Sequence, residues 1–549
     1  MNAMNSARYQ PHPRPTPTQR QWPDASLKTA PRWSSSDLRD GNQALFEPMS
    51  NAHKLQLFER LCAIGLREIE VGFPAAAAAE FAFVRQLISE GRIPDTVRIA
   101  VLTPARHDLI ALTLQALAGA ARATVHLYHA IADDFREQVF AIDRATLSER
   151  IVASVTAIRE HAERHPETSW CLQFSPEHFS SSDPAYALQV CDAVSLAWQA
   201  DDARPLIINL PATVECCMPH VYADLIEYMH RHLARRQHLT LSVHPHNDRG
   251  CAVAAAELAV LAGAERVEGC LFGHGERTGN VDLVTLALNL HSQGVAPGLD
   301  FGALDSLVHL VQTCTGLPVH PRHPYAGDLV YTAFSGSHQD AIRKGLQQQQ
   351  PEAVWRVPYL PIDPGDVGRD YNGLVRLNSQ SGKGGVAYLL EQRGVRLSRR
   401  HLIDFSARVK TLSDGSGEVS AEQLWQFFLA CYASDAHRQP WQLHSFELSA
   451  DGQSIDLQMH HADRSVHLSG HGCGTLDAAV AALPRRLEVV AYSEFSLTCG
   501  STAEALAVIE GQGDGLPFFA VGVAANRILA TLLALCSALN QSESAHQPG

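Results

Sequence analysis

The sequence predicts an α/β fold: a TIM-type (β/α)8 barrel, then helical linker subdomains, then a small α+β domain in which a βββα unit occurs twice. Three observations predict it. Eight short apolar strands alternate with amphipathic helices across roughly 260 residues, the beat of a closed barrel. Polar and titratable residues gather where those strands end, which is the face a barrel uses for chemistry. From about Trp441 the alternation gives way to three strands and a helix, twice over. A doubly wound open sheet also alternates in this manner, but no dinucleotide fingerprint follows the first strand, so the barrel is preferred.

In order along the 549 residues, 1–30 are rich in Pro, Gln, Thr and Arg and read as an N-terminal extension with little core of its own. The barrel is assigned to 31–322, with strands at 33–40, 67–73, 97–102, 123–128, 170–175, 205–210, 239–244 and 266–272. Helical patterns fill the gaps, at 105–119, 147–165, 184–199, 221–235 and 251–263. Residues 323–435 form a linker region of polar turns, including Ser381-Gly382-Lys383-Gly384-Gly385, which lacks the spacing of a phosphate loop. The terminal domain, 436–549, carries a helix at 475–483, strands at 488–498, 503–510 and 517–522, and a last helix at 524–539.

Net charge is −14, from 44 Lys+Arg against 58 Asp+Glu, so no general basic field draws in nucleic acid or an anionic membrane. No apolar run approaches the ~18 residues of a spanning helix, and the N-terminus has no signal-peptide core. The 12 cysteines are scattered without CxxC pairs, and Cys216 and Cys217 are adjacent. That usage suits reduced thiols in the cytoplasm.

The chemistry is concentrated in His244-Pro-His246-Asn247-Asp248. Residues i and i+2 of a strand share a face, so both imidazoles emerge together at the end of the seventh strand and supply half of a divalent-metal site. Asp40 follows the first strand and Asn280 the eighth, and these neighbours in a closed barrel bring both toward the two histidines. Two imidazoles, a carboxylate and an amide oxygen accept Mg2+, ranked first, or Mn2+ or Zn2+. Open positions suit a bidentate 2-oxo acid whose ketone the metal polarises. Arg39 can stabilise developing negative charge or merely pair with Asp40 or Glu177. Glu177 is a candidate for proton transfer. Thr213 offers a hydroxyl to a substrate carboxylate or serves its turn, while His126, Tyr128 and Ser175 complete the rim.

These residues sit in strings that resemble the long-chain branch of the 2-isopropylmalate synthase family: SDLRDGNQAL (36–45), EVGFP (70–74), SPE (175–177), HPHNDRG (244–250), GERTGN (275–280), RHPYAGDLVYTAFSGSHQDAI (322–342) and VPYLPIDPGDVGRDYNGLVRLNSQSGKGGVAYLL (357–390). The barrel strings are shared with homocitrate synthase, citramalate synthase and hydroxymethylglutaryl-CoA lyase; the linker strings separate this branch from them. The resemblance spans residues 30–540. It implies a Claisen-type condensation of acetyl-CoA with 3-methyl-2-oxobutanoate, hydrolysed to 2-isopropylmalate and CoA. It also implies that Asp40, His244, His246 and Asn280 are metal ligands, that Arg39 and Glu177 are catalytic, and that His126 and Thr213 line the 2-oxo acid site. Further implications are that His338 and Tyr359 complete the partner's site in a homodimer, with His338 in the proton-transfer chain, and that the C-terminal domain binds leucine as effector. The group that removes the methyl proton stays open.

Three departures from the family pattern stand out. Ala75–Ala79 replaces small polar residues and a Gln, His274 replaces Asn, and Gly470-His471-Gly472-Cys473-Gly474-Thr475 replaces a Gly-Asn-Gly-Pro turn. The alanine run suggests a paralogue using another 2-oxo acid, as a citramalate or homocitrate synthase does. A catalytically dead sensor on the same scaffold is the alternative outside enzymes, and the complete ligand set argues against it.

Overall fold

Eight parallel strands close into a barrel in chain order: β1 (Arg32–Ser35), β2 (Glu68–Gly72), β3 (Arg98–Pro104), β4 (Arg122–Ala130), β5 (Ser169–Glu177), β6 (Leu206–Ala212), β7 (Leu239–Pro245) and β8 (Arg266–Gly269). The computed structural model describes residues 19–331, 333, 335–369, 383–416, 419–433, 440–462, 464–497 and 504–544. The expected strand at 33–40 stops early. Beyond Ser35 the chain turns, and Asp40–Gln43 forms a single helical turn, so Arg39 and Asp40 lie on the rim rather than in the sheet. β8 likewise ends at Gly269, where Val281 approaches too closely for any side chain.

Helix starts follow local chemistry. The Asp143 and Asp183 side chains accept the first backbone N–H groups of Arg144–Arg164 and Pro184–Trp198, and Asp282 caps Leu283–Ser292 through Val284 and Thr285. The alanine run gives Ala78–Ser89 no such cap. The described part of the N-terminal extension is docked on the barrel. Arg20 grips Asp224 with two 2.7 Å bonds, and Gln21 and Trp22 donate backbone N–H groups to Glu227, both acids belonging to the helix Pro219–His232.

Inside the barrel the packing departs from the usual layers of branched aliphatics. Inward positions at i and i+2 hold Glu68 and Glu70 on β2, Arg266 and Glu268 on β8, and Ser242 and His244 on β7. Gln173 of β5 and His126 of β4, paired in register, join them. All but Glu68 are buried, and they are satisfied chiefly by one another.

The chain divides into two units. One extends to Val330 and includes Gly365–Arg369; the other takes Tyr331–Pro364 and the described chain after Arg369. In the second unit, β9 (Trp441–Leu448), β10 (Ser454–His461) and β11 (Arg464–His471) form one antiparallel sheet followed by the helix Thr475–Ala482. A second sheet of β12 (Leu487–Ser496), β13 (Ala505–Gly513) and β14 (Leu516–Ala524) precedes the helix Arg527–Ser544. The βββα unit therefore occurs twice, around one apolar core containing Ile455, Leu457, Ile509, Leu535 and Leu539. Helices Gly336–Gln348, Arg399–Ser416 and Ala421–Tyr432 precede it, the last closed by a Ser420/Gln423 capping box. Residues 381 and 382 of the Gly-rich turn lie outside the described residues, as do 370–380. No helix among the described residues is long and apolar enough to cross a membrane.

Candidate active site

β7 delivers His244 and then His246 to the C-terminal mouth of the barrel, as the i, i+2 spacing requires, and their Nε2 atoms lie 3.2 Å apart. Asp40 Oδ2 is 3.5 Å from His244 Nε2 and 3.7 Å from His246 Nε2. Asn280 Nδ2 donates to the same Asp40 oxygen at 2.7 Å, and Asn280 Oδ1, also buried, has no partner among the described residues. Residues from three distant places in the sequence thus meet in one small volume, and the Asp40, His244 and His246 ligand atoms are close enough to share an ion. The loop that presents Asn280 depends on Gly279, which takes φ +92 at a point where a Cβ would collide with the Gly273 carbonyl oxygen.

The charges around them fix the protonation pattern. Burial works against ionised Asp40, yet Arg39 Nη1 at 3.0 Å and the two imidazoles hold its carboxyl well below the usual range. Burial also works against protonated His244, but Asp40 and Glu268 outweigh it and lift its pKa to about 9. His246 goes the other way, pushed down to about 3 by burial and by its neighbour's charge. Buried or nearly buried Arg39 and Arg266 face Asp40, Glu68, Glu70 and Glu268, so with neutral imidazoles this network holds two uncompensated negative charges. Arg32, half exposed beside Glu68, offsets one only weakly across solvent. A proton on His244 supplies one positive charge; a divalent cation supplies both. The donor set, the partnerless Asn280 oxygen and this charge deficit all fit such a cation.

A cavity of about 380 Å³ opens over the cluster. Arg39, His126, Tyr128, Ser175, Glu177 and Thr213 all line it, so the structure brings these six expected residues together with Asp40, His244 and His246. Of the two ion-pair partners expected for Arg39, the structure gives Asp40, at 3.0 Å, rather than Glu177. The Arg39 Nε donates to Glu70 at 2.7 Å. Burial raises the Glu177 carboxyl above its ordinary pKa, and Arg39 offsets this only in part. Thr213 Oγ1 accepts the His178 backbone N–H at 2.9 Å, which leaves its own proton to donate into the cavity. His126 bridges Glu70 (2.6 Å) and Ser175 (2.7 Å), and Asn209 donates to the same serine.

Phe73 is the contribution of the 73–79 loop to this cavity; none of the alanines lines it, and Ala76–Ala79 face solvent. His274 is half-buried; its backbone carbonyl accepts the Asn280 N–H at 3.0 Å, and burial lowers the pKa of its imidazole, whose charged neighbours are Asp282 and His323. His338 and Tyr359 belong to the second unit, where their rings stack 4.0 Å apart. Sequence reasoning gave no role to Glu70, Glu268, Arg266, Asn209 or Gln173. The available signal was charge at alternate positions of strands otherwise built from Ile and Val.

The fold and the site define an HMGL-like barrel enzyme: residues 30–311 match the HMGL-like family model. Residues 328–391 match the model described as alpha-isopropylmalate synthase, post-catalytic domain-like, and 418–543 match the LeuA allosteric (dimerisation) domain. A 2-isopropylmalate synthase of Cupriavidus taiwanensis is 54% identical over 528 residues, covering 95% of this chain and 92% of that one. Another, from Azotobacter vinelandii, is 51% identical over 542 residues, covering 98% and 97%. Among solved structures, an HMG-CoA lyase from Brucella melitensis aligns over 53% of this chain and 100% of its own, with 20% identity and a TM-score of 0.43. The chain belongs to the 2-isopropylmalate synthase family.

Proposed function

We propose that the barrel site condenses acetyl-CoA with 3-methyl-2-oxobutanoate and that water then hydrolyses the resulting thioester, releasing 2-isopropylmalate and CoA in the committed step of leucine biosynthesis. The convergence of Asp40, His244, His246 and Asn280 beneath a polar cavity carries this reading, set in a chain that matches its relatives almost end to end. Those four residues would hold a divalent cation, Mg2+ first and Mn2+ or Zn2+ otherwise, which when bound supplies Lewis-acid polarisation of the acceptor ketone.

The remaining steps fall to the chain's own groups. Thr213 donates its hydroxyl to the acceptor carboxylate, and Tyr128, Ser175 and His126 shape the pocket for the rest of that molecule. Arg39, held by Asp40 and Glu70, presents a fixed positive charge to the oxygen that becomes an alkoxide during carbon–carbon bond formation. Glu177, with its pKa raised by burial, carries a proton between pocket and substrate. In the homodimer this reading requires, His338 and Tyr359 complete the partner's site, with His338 in the proton-transfer chain. Leucine acts through the C-terminal domain, and the enzyme works in the cytoplasm.

The alternative acceptor suggested by the alanine run gains no support, because that run does not line the cavity. Thiol release from acetyl-CoA across a panel of 2-oxo acids tests the assignment. Highest kcat/KM with 3-methyl-2-oxobutanoate is expected. A clear preference for pyruvate or 2-oxoglutarate would overturn it.

A further inference from the structure

We propose that Glu268 is a positioning residue that sets the tautomer of His244 and thereby the donor atom offered to the cation; this rests on the metal reading above. Glu268 is 1% exposed on β8, directly below the rim. Its Oε1 lies 3.0 Å from His244 Nδ1. Its Oε2 accepts from Arg266 Nη1 at 3.0 Å and from Gln173 Nε2 at 2.9 Å. Arg266 is itself clamped, with Nε 2.8 Å from Glu68 Oε2 and Nη1 2.8 Å from Ser242 Oγ. A guanidinium can only donate, so the Oε2 side of Glu268 must accept and the carboxylate cannot turn.

The consequence reaches the rim. Oε1 is an acceptor too, so in the neutral form that a cation requires, His244 keeps its proton on Nδ1 and turns the Nε2 lone pair toward Asp40 and His246. His246 has no equivalent device: its Nδ1 has no hydrogen-bond partner among the described residues. The two imidazoles are therefore unequal, one locked by a carboxylate and one not.

Glu268→Gln tests this sharply. An amide has one accepting end, and Arg266 with Gln173 claims it. The NH2 then faces His244 Nδ1, which must become an acceptor, moving the imidazole proton to Nε2 where the cation should bind. In EDTA-stripped full-length protein titrated with Mn2+, Glu268→Gln is expected to bind at least tenfold more weakly than the unaltered chain, within the range of about 10–100-fold typical of residues that orient ligands. Acetyl-CoA affinity is expected to hold, while the unfolding temperature falls with the loss of the buried charge beside Arg266, so Mn2+ affinity is the deciding readout. A residue serving only to neutralise Arg266 would leave Mn2+ affinity within twofold, and that result overturns the proposal. If Glu268→Gln does not fold, Glu268→Asp keeps the charge against Arg266 but is too short to reach both partners. Weaker Mn2+ binding there supports the role, and unchanged binding refutes it. Failure of the unaltered protein to bind Mn2+ at all would instead strike down the metal reading, and the proposal with it.

Discussion

Asp40→Asn separates a metal ligand from a structural ion-pair partner. The side chain keeps its shape, and Arg39 keeps Glu70 at 2.7 Å, so the local fold has little reason to change. Asp40 uses both oxygens: Oδ1 accepts from Arg39 at 3.0 Å and Oδ2 from Asn280 at 2.7 Å, facing the imidazoles. Asparagine has one accepting end. Either Arg39 or the cation side then meets an NH2 group. Losing one charge-assisted acceptor costs about 1.5–3 kcal/mol, and replacing an anionic ligand by a neutral one adds to that. Mn2+ affinity should therefore fall by at least about 100-fold, since ~1.4 kcal/mol is a decade in affinity. Stability should fall as well. The fold favours the charged form of a carboxyl held below its usual range, so the metal-free variant, without that charge beside Arg39 and the imidazoles, should unfold at a somewhat lower temperature. Calorimetric Mn2+ titration and thermal unfolding of stripped protein read both quantities. A variant that is destabilised yet binds Mn2+ normally would show that Asp40 serves Arg39, not a cation, and the site assignment would fall.

Two further outcomes are expected elsewhere. His401 is 1% exposed, stacks on Phe519 at 4.5 Å, meets Tyr432 edge-on, and has no hydrogen-bond partner at either ring nitrogen among the described residues. Burial pushes its pKa down to about 4, so the stability that depends on its neutral ring is complete above ~6.5 and is lost as pH falls from ~6.5 to ~4, about 3 kcal/mol in all. His401→Phe should flatten that acid limb in urea unfolding at pH 7, 5.5 and 4.5; an unchanged limb would place the acid sensitivity in other groups. Gly279→Ala would put a Cβ 1.8 Å from the Gly273 carbonyl oxygen at φ +92, so the loop must shift and carry Asn280 with it. Mn2+ affinity should drop at least tenfold with unchanged far-UV circular dichroism; retained affinity would mean that Asn280 is not a ligand.

The barrel was readable because its strands are short apolar runs at regular spacing, and each expected strand from the second to the seventh overlaps an observed one within a few residues. The end of β1 was not readable. Nothing local in Ser34-Ser35-Ser36-Asp37 marks the end of a strand, while the turn that stops it depends on Asp37 accepting the backbone N–H of Leu271, more than two hundred residues further on. Helix limits erred for a similar reason, as with 221–235 against Pro219–His232, where an N1 proline marked a start that the apolar pattern alone did not. At the rim, the strand-end rule found residues that line the cavity because it concerns which strand a residue terminates, and that is local information. It missed Glu70 and Glu268, which sit one step further in. Charged residues in the middle of an apolar strand read as interruptions until their partners are known, and Arg266 on β8 and Arg39 on the rim after β1 are what make them tolerable.

That inner layer explains why an enzyme would fill a barrel with ions rather than aliphatics. Buried ion pairs seldom stabilise a fold more than apolar packing of equal volume, so a network this extensive is a poor choice for stability alone. Its geometry answers a different demand. Glu268 holds His244, Glu70 holds both Arg39 and His126, and His126 in turn holds Ser175. Every link is a short bond to a charged or polar group with no freedom to rotate away. Aliphatic layers would hold the strands equally well but would leave the rim groups anchored only by their own torsions. A site that must present a fixed charge, a fixed lone pair and a cation in register needs its directional bonds continued inward, and the interior supplies them at some expense of stability.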